Sequence, residues 1–215
     1  KKRGGNVFWV GHPMIDLTKK LPLKKDARTI LNLRPNQNII LLMPASRPQE
    51  LRYILPTFMK SAKKLQQKYP SLVVYIPSCR DAFDEIFKKA FRKYQVKGLV
   101  ISQKDSAKLK PYIYSLTKIA LCKSGTVNME LALYGIPQIV GYRVSRVTAF
   151  IAKKILNFKV RFISPVNLLV NKLIIPEFVQ KEFDEKKIFY KSCRILDGKS
   201  EKIKIKKGYA FLKKE

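Results

Sequence analysis

"LCKSGTVNMELALYGIPQIVGYR" (residues 121–143) decides how this chain folds. An apolar run ends in a small polar triplet, Ser124-Gly125-Thr126. Residues 127–134 then show helical spacing, and Gly135-Ile136-Pro137 stops the helix. A second apolar run, 138–142, begins at once. Two short, nearly continuous apolar runs on either side of a helix make a β-α-β unit, with parallel strands buried on both faces.

Working outward, the same alternation fills most of the chain. Apolar runs at 6–10, 38–43, 72–76, 99–102 and 119–122 read as strands. Helical periodicity marks 26–33, 49–69 (with a kink expected at Pro56), 81–94 and 147–156. Beyond these the pattern predicts a turn at Pro165-Val166-Asn167, helices near 177–183 and 184–193, and a charged, mobile tail from Asp197. Strands separated by helices predict an α/β fold: a Rossmann-like parallel sheet with helices on both faces. Ligands of such sheets bind at the carboxyl ends of the strands.

Composition narrows the function classes. Hydrophobic residues make up 46% of 215 positions, enough for a full core. Lys+Arg number 45 against 15 Asp+Glu, a formal charge of +30. Such a field recruits phosphates, nucleic acid or anionic lipid. Lysines outnumber arginines about three to one, and a lysine-rich surface can also reflect compositional drift. Three cysteines without metal-type spacing predict free thiols in a reducing compartment. A single histidine excludes a multi-histidine metal site. No apolar run approaches the roughly 18 residues of a membrane span. A start at Lys1-Lys2-Arg3 without Met suggests a piece of a longer polypeptide.

Three constellations carry chemistry. The first is the opening triplet, at a strand-to-helix handover. Unpaired amides and a partial positive charge gather there. Gly125 would let an anion approach the backbone, and the Ser124 and Thr126 hydroxyls could donate to it. An ordinary N-cap uses the same residues. Glu130 is not explained by reciprocal capping, because the capping-box position holds Met129. One turn in from Thr126, its carboxylate could accept two hydroxyl hydrogen bonds, as from a ribose diol, or face solvent. The second is "LLMPASRPQEL" (41–51), where Ser46 and Arg47 leave a strand's carboxyl end. The Arg47 guanidinium can fork onto a diphosphate. Glu50 could orient Arg47, or sit favourably in the first helical turn. The third is "WVGHPMID" (9–16), a tight turn in which His12 is a weak candidate for proton transfer.

Together "VGHPMID", "PASRPQEL", "KSGTVNMELALYGIPQIVGYR" and "PVNLLVNKLIIPEFVQ" resemble the successive motifs of lipid-A-disaccharide synthases, glycosyltransferases of the two-domain GT-B fold. The resemblance runs from about Val10 to about Phe183 and covers the family's carboxyl-terminal, nucleotide-sugar half. It implies three segments: 1–37, a turn and crossover from a missing N-terminal half; 38–183, the nucleotide-sugar-binding Rossmann-like domain; and 184–215, a C-terminal helix and basic tail. It implies transfer of 2,3-diacylglucosamine from UDP to 2,3-diacylglucosamine 1-phosphate, inverting and independent of metal, with no cofactor. By likeness, Arg47 and the Ser124–Thr126 turn would hold the diphosphate and Glu130 the ribose, with Ser46 also binding substrate. Asn167, Glu177 and Gln180 would line the donor pocket, with Tyr142 and Arg143 at its rim. The expected location is the cytoplasmic side of the inner membrane, held peripherally on anionic lipid. This half alone would bind nucleotide without turning over.

Two positions depart from the family pattern. Ala45 stands where glycine is usual, which matters if that residue needs a positive φ. Lys123 stands where the family is small or apolar. Two other readings stay open from sequence: a basic nucleic-acid-binding module with interleaved Tyr94, Tyr112 and Tyr114, and a non-catalytic glycosyltransferase remnant. The nucleic-acid reading leaves Glu130 and the strand-end position of Arg47 unexplained, so no nucleic-acid partner is expected.

Overall fold

The computed structural model describes residues 20–145 and 161–213. The strand expected at 6–10, the turn carrying His12 and the helix expected at 147–156 lie outside the described residues.

Six strands form one sheet among the described residues: β1 (Asn38–Met43), β2 (Leu72–Pro77), β3 (Gly98–Ile101), β4 (Thr117–Lys123), β5 (Gln138–Tyr142) and β6 (Glu177–Val179). Their order is β3-β2-β1-β4-β5-β6, and every pairing is parallel. Ile39, Ile40, Leu41 and Leu42 are all 0% exposed. Consecutive strand residues point to opposite faces, so four in a row can be buried only if both faces are covered.

The covering helices are α1 (Lys24–Ile30), α2 (Pro48–Lys68), α3 (Asp84–Tyr94), α4 (Gln103–Leu116), α5 (Val127–Leu133), α6 (Pro165–Leu169), α7 (Glu185–Asp197) and α8 (Lys199–Leu212). Helix α2 packs with α3 and α7, α1 packs with α4, and α5 with α6. Helix α2 starts with Pro48 at its first position and continues through Pro56. Its apolar stripe of Leu51, Ile54, Leu55, Phe58, Ala62 and Leu65 is buried. Helix α5 ends at Gly135 with φ +70, where the Gly135 amide bonds Ala132 and the Ile136 amide bonds Leu131. A left-handed glycine closing two such bonds is a standard helix stop.

Four sequence expectations need correction. The turn expected at Pro165-Val166-Asn167 is instead the start of helix α6, with Ser164 as its N-cap and proline in its first turn. Helix α4 was not anticipated: Pro111 lies inside it and only Ile113, Tyr114 and Leu116 are buried, which blurs its period. Its start was legible, since Ser102 Oγ accepts from the Asp105 amide and donates to the Asp105 carboxylate, a side-chain N-cap. The helix expected near 177–183 is instead strand β6 followed by a 3-10 turn, Gln180–Glu182. Three residues are too few to separate the two periods. The tail from Asp197, expected to lack structure, forms α8 through Leu212 and buries Ile205, Tyr209 and Leu212 at helical spacing. Buried residues from Ala27 to Leu212 share one hydrophobic core with the sheet.

Phe183 closes this core over β5. Its ring meets Phe58 edge-on, with centroids 5.0 Å apart. A Cβ on Gly141 would lie 2.1 Å from a Phe183 ring carbon. Gly141→Ala is therefore expected to lower stability by about 1–3 kcal/mol through overpacking, measured by urea unfolding.

Candidate functional site

The reversal in strand order falls between β1 and β4. Their crossovers leave in opposite directions and open a crevice at the carboxyl ends. Met43, Pro44, Ala45 and Ser46 leave β1 on one side, and Lys123, Ser124, Gly125 and Thr126 leave β4 on the other. These residues, with Cys79 from the end of β2, line a crevice of about 170 Å³. A second, larger cleft of about 460 Å³ is lined by Arg47, Glu50, Arg52, Tyr53, Tyr142 and Arg143 among others.

Of the residues picked from sequence, Ser46, Ser124, Gly125 and Thr126 share the crevice, and Arg47, Tyr142 and Arg143 share the cleft. Arg47 is exposed and is the N-cap of α2. Ala45 does not take a positive φ, so the missing glycine costs no backbone strain there. Glu50 does not orient Arg47. Both of its carboxylate oxygens accept from Lys123 Nζ at 2.8 Å. The side chains are 13% and 19% exposed, and Glu50 lines the cleft while Lys123 lines the crevice. This pair fastens the start of α2 to the end of β4. Lys123, a departure from the family pattern, thus has a structural partner.

The triplet is held from beneath. Ser124 Oγ donates to the Ile163 carbonyl, so its proton is already committed. The Gly125 amide donates to Asn128 Oδ1 at 2.9 Å. Asn128 was not singled out from sequence. Its signal was its place three residues after the glycine, where a short amide side chain can cap backwards.

Glu130 lines neither cavity. It accepts from Lys110 Nζ of α4 at 3.0 Å and keeps a side-chain exposure of 23%. Burial, reinforced by the Glu130 charge, pushes the neighbouring Tyr114 phenol well above its ordinary value. Asn167 and Glu177 also lie outside both cavities. Glu177 accepts from the Ile163 and Ser164 amides at 2.8 and 2.9 Å and from Asn167 Nδ2 at 2.7 Å. Asn167 is fully buried, donating to the Ile175 carbonyl and accepting from the Ile174 and Ile175 amides. The two residues hold the Ile163 loop on which Ser124 rests. Gln180 has φ 54, and its carbonyl accepts from Arg143 Nε and Nη2. Arg143 also donates to the Phe183 carbonyl and sits over the Phe183 ring. Its guanidinium fastens the segment after β6 to the end of β5.

The Glu50–Lys123 pair is expected to show the asymmetry of a shielded ion pair. Lys123→Met alone, leaving the carboxylate unpartnered, should lose about 1–3 kcal/mol. Adding Glu50→Leu should restore part of that loss, as read from a double-mutant cycle in urea.

Comparison of the sequence with known proteins points to one family. The family model described as lipid-A-disaccharide synthetase matches residues 1–214. The lipid-A-disaccharide synthase of Prochlorococcus marinus is 43% identical over 99% of this chain and 54% of its own length. That of Gloeothece citriformis is 35% identical over 100% of this chain and 54% of its own. The chain thus spans about half the length of the curated relatives it matches. Among solved structures, WaaG, a glycosyltransferase involved in lipopolysaccharide biosynthesis, superimposes with a TM-score of 0.63 at 12% identity, over 95% of this chain and 50% of its own. The C-terminal CMP-Kdo binding domain of WaaA from Acinetobacter baumannii does so with a TM-score of 0.57 at 10% identity, over 89% of this chain and 96% of its own. These structural likenesses carry the fold, and the sequence matches over the whole chain carry the family: the chain belongs to the lipid-A-disaccharide synthases, with the α/β fold of GT-B glycosyltransferases.

Proposed function

We propose that this chain is the UDP-sugar-binding half of a lipid-A-disaccharide synthase, which moves 2,3-diacylglucosamine from UDP to 2,3-diacylglucosamine 1-phosphate with inversion. One observation carries the reading. Arg47 and the Ser124–Thr126 turn flank the β1/β4 switch point, where a parallel sheet presents its ligand crevice. Breaking the sugar–phosphate bond leaves charge on the diphosphate. A guanidinium and the amides of the turn other than Gly125, whose N–H is already donated to Asn128, stabilise that charge without reorganising. The sequence offers no DxD-type acidic pair for a metal, so the proposed mechanism relies on these fixed donors.

Ser46 joins Arg47 on the diphosphate in this proposal. Glu130, one turn along α5, takes the ribose hydroxyls, with Lys110 steadying one carboxylate oxygen. Tyr142 and Arg143 form the rim of the cleft. Asn167, Glu177 and Gln180 act through the loops they hold. The acceptor site and general base belong to the additional length that the relatives possess, and His12 is the weak candidate within this chain. The acylated substrates partition into membranes, and the formal charge of +30 suits an anionic inner-membrane surface on the cytoplasmic side. No helix among the described residues is long and apolar enough to cross a membrane.

Calorimetric titration of UDP tests the reading. UDP should bind the parent chain, and Arg47→Ala and Glu130→Ala should each weaken it roughly 10- to 100-fold, the worth of one charge-assisted hydrogen bond. If both variants bind like the parent, the site is misplaced. A polynucleotide that binds more tightly than UDP at physiological salt would favour the nucleic-acid module instead.

Thiol labelling supplies a second test. Cys79 is exposed at the crevice wall, whereas burial pushes the Cys122 thiol up to about 12. A maleimide should label Cys79 and spare Cys122, since the thiolate is the nucleophile. Saturating UDP should slow that labelling. Labelling unaffected by bound UDP would place the nucleotide elsewhere.

A further inference from the structure

A line of buried side chains connects the C-terminal helix to the Ser124–Thr126 turn. Tyr209 of α8 donates its hydroxyl to the Ile136 carbonyl at 3.0 Å and accepts from Gln138 Nε2 at 3.1 Å. Gln138, the first residue of β5, also donates to the Asn128 carbonyl at 2.9 Å and accepts from Asn128 Nδ2 at 3.0 Å. Asn128 then accepts from the Gly125 amide and donates to the Lys123 carbonyl. Asn128 and Gln138 are 0% exposed and Tyr209 is 2% exposed.

We infer that Tyr209, Gln138 and Asn128 are positioning residues, forming a buried relay by which the C-terminal helix sets the orientation of the Gly125 peptide at the mouth of the crevice. This rests on the proposed nucleotide site for its functional consequence, though not for the relay itself.

Three arguments support it. Each polar group along the line is matched, and a polar group buried without a partner is costly, so the members constrain one another. Asn128 grips both sides of the turn, taking the Gly125 amide through Oδ1 and the Lys123 carbonyl through Nδ2. The Gly125 peptide is therefore held with its N–H pointing inward, towards Asn128, before any ligand arrives. The line also spans elements far apart in sequence, from residue 125 to residue 209. Nothing but the seating of α8 brings Tyr209 to Gln138. A strut of this kind preorganises a binding turn without touching the ligand.

The test compares Tyr209→Phe and Gln138→Met with the parent chain. A control, Ile195→Val, loosens the neighbouring α7 core without touching the relay. Amide resonances and hydrogen exchange are followed residue by residue, and UDP affinity is measured in parallel. Tyr209→Phe removes one hydroxyl and keeps the ring. It should shift the Gly125 amide resonance and speed its exchange by about tenfold, while the β2 amides stay as in the control. Gln138→Met should do the same more strongly. UDP affinity should fall roughly three- to tenfold in both variants.

Gly125 exchange and resonance in both folded variants that match the Ile195→Val control would overturn the relay. A disturbed Gly125 amide with unchanged UDP affinity would overturn its functional role. Failure of the parent chain to bind UDP would refute the nucleotide-site reading, while the Gly125 amide would still decide the relay.

Discussion

The structure depends on β4 lying parallel to β1 in the middle of the sheet. Both strands are buried on both faces, so their backbone groups pair in the sheet and their side chains fill two helix-covered layers. That pairing sets two carboxyl ends side by side and sends the chain away from each in opposite directions. The rim peptides Ala45-Ser46-Arg47 and Ser124-Gly125-Thr126 meet there for this reason alone. Among the described residues, each segment is held by side chains.

Charge and geometry supply that hold at three points. The Glu50–Lys123 pair ties the start of α2 to the end of β4. Arg143 ties the end of β5 to the 3-10 turn at Gln180 and to Phe183. Glu177 collects the Ile163 and Ser164 amides, and the Ile163 carbonyl receives Ser124. In each case a charged group replaces water for backbone or partner groups that loops leave unsatisfied. Most polar residues of the recognisable motifs thus shape the crevice rather than fill it.

The surface charge has a matching logic. Glu50, Glu85, Glu130, Glu182, Asp197 and Glu201 each hold a lysine. These acids are spent inside the molecule's own contacts, so the surplus of lysines is left to face solvent and whatever anion approaches. A field of that sign attracts phosphate-bearing ligands and anionic lipid over a distance of about one Debye length. It does not distinguish them; in the proposed function that discrimination falls to the crevice.

The sequence by itself determined the alternation of strand and helix, the parallel sheet and the two rim peptides, because burial on both faces writes itself as uninterrupted apolar runs such as Ile39–Leu42. The stop at Gly135 was legible for a similar local reason, since only glycine adopts that φ without strain. Helix α4 and strand β6 were hidden, one by Pro111 and sparse burial, the other by a length of three residues. What only the tertiary structure decided is who holds whom: Lys123 with Glu50 rather than Glu50 with Arg47, Glu130 with Lys110, and Tyr209 beneath Gln138. Those pairings join residues 20 to 73 positions apart. Their partners are chosen by how the helices seat on the sheet, and no local period or spacing records that choice.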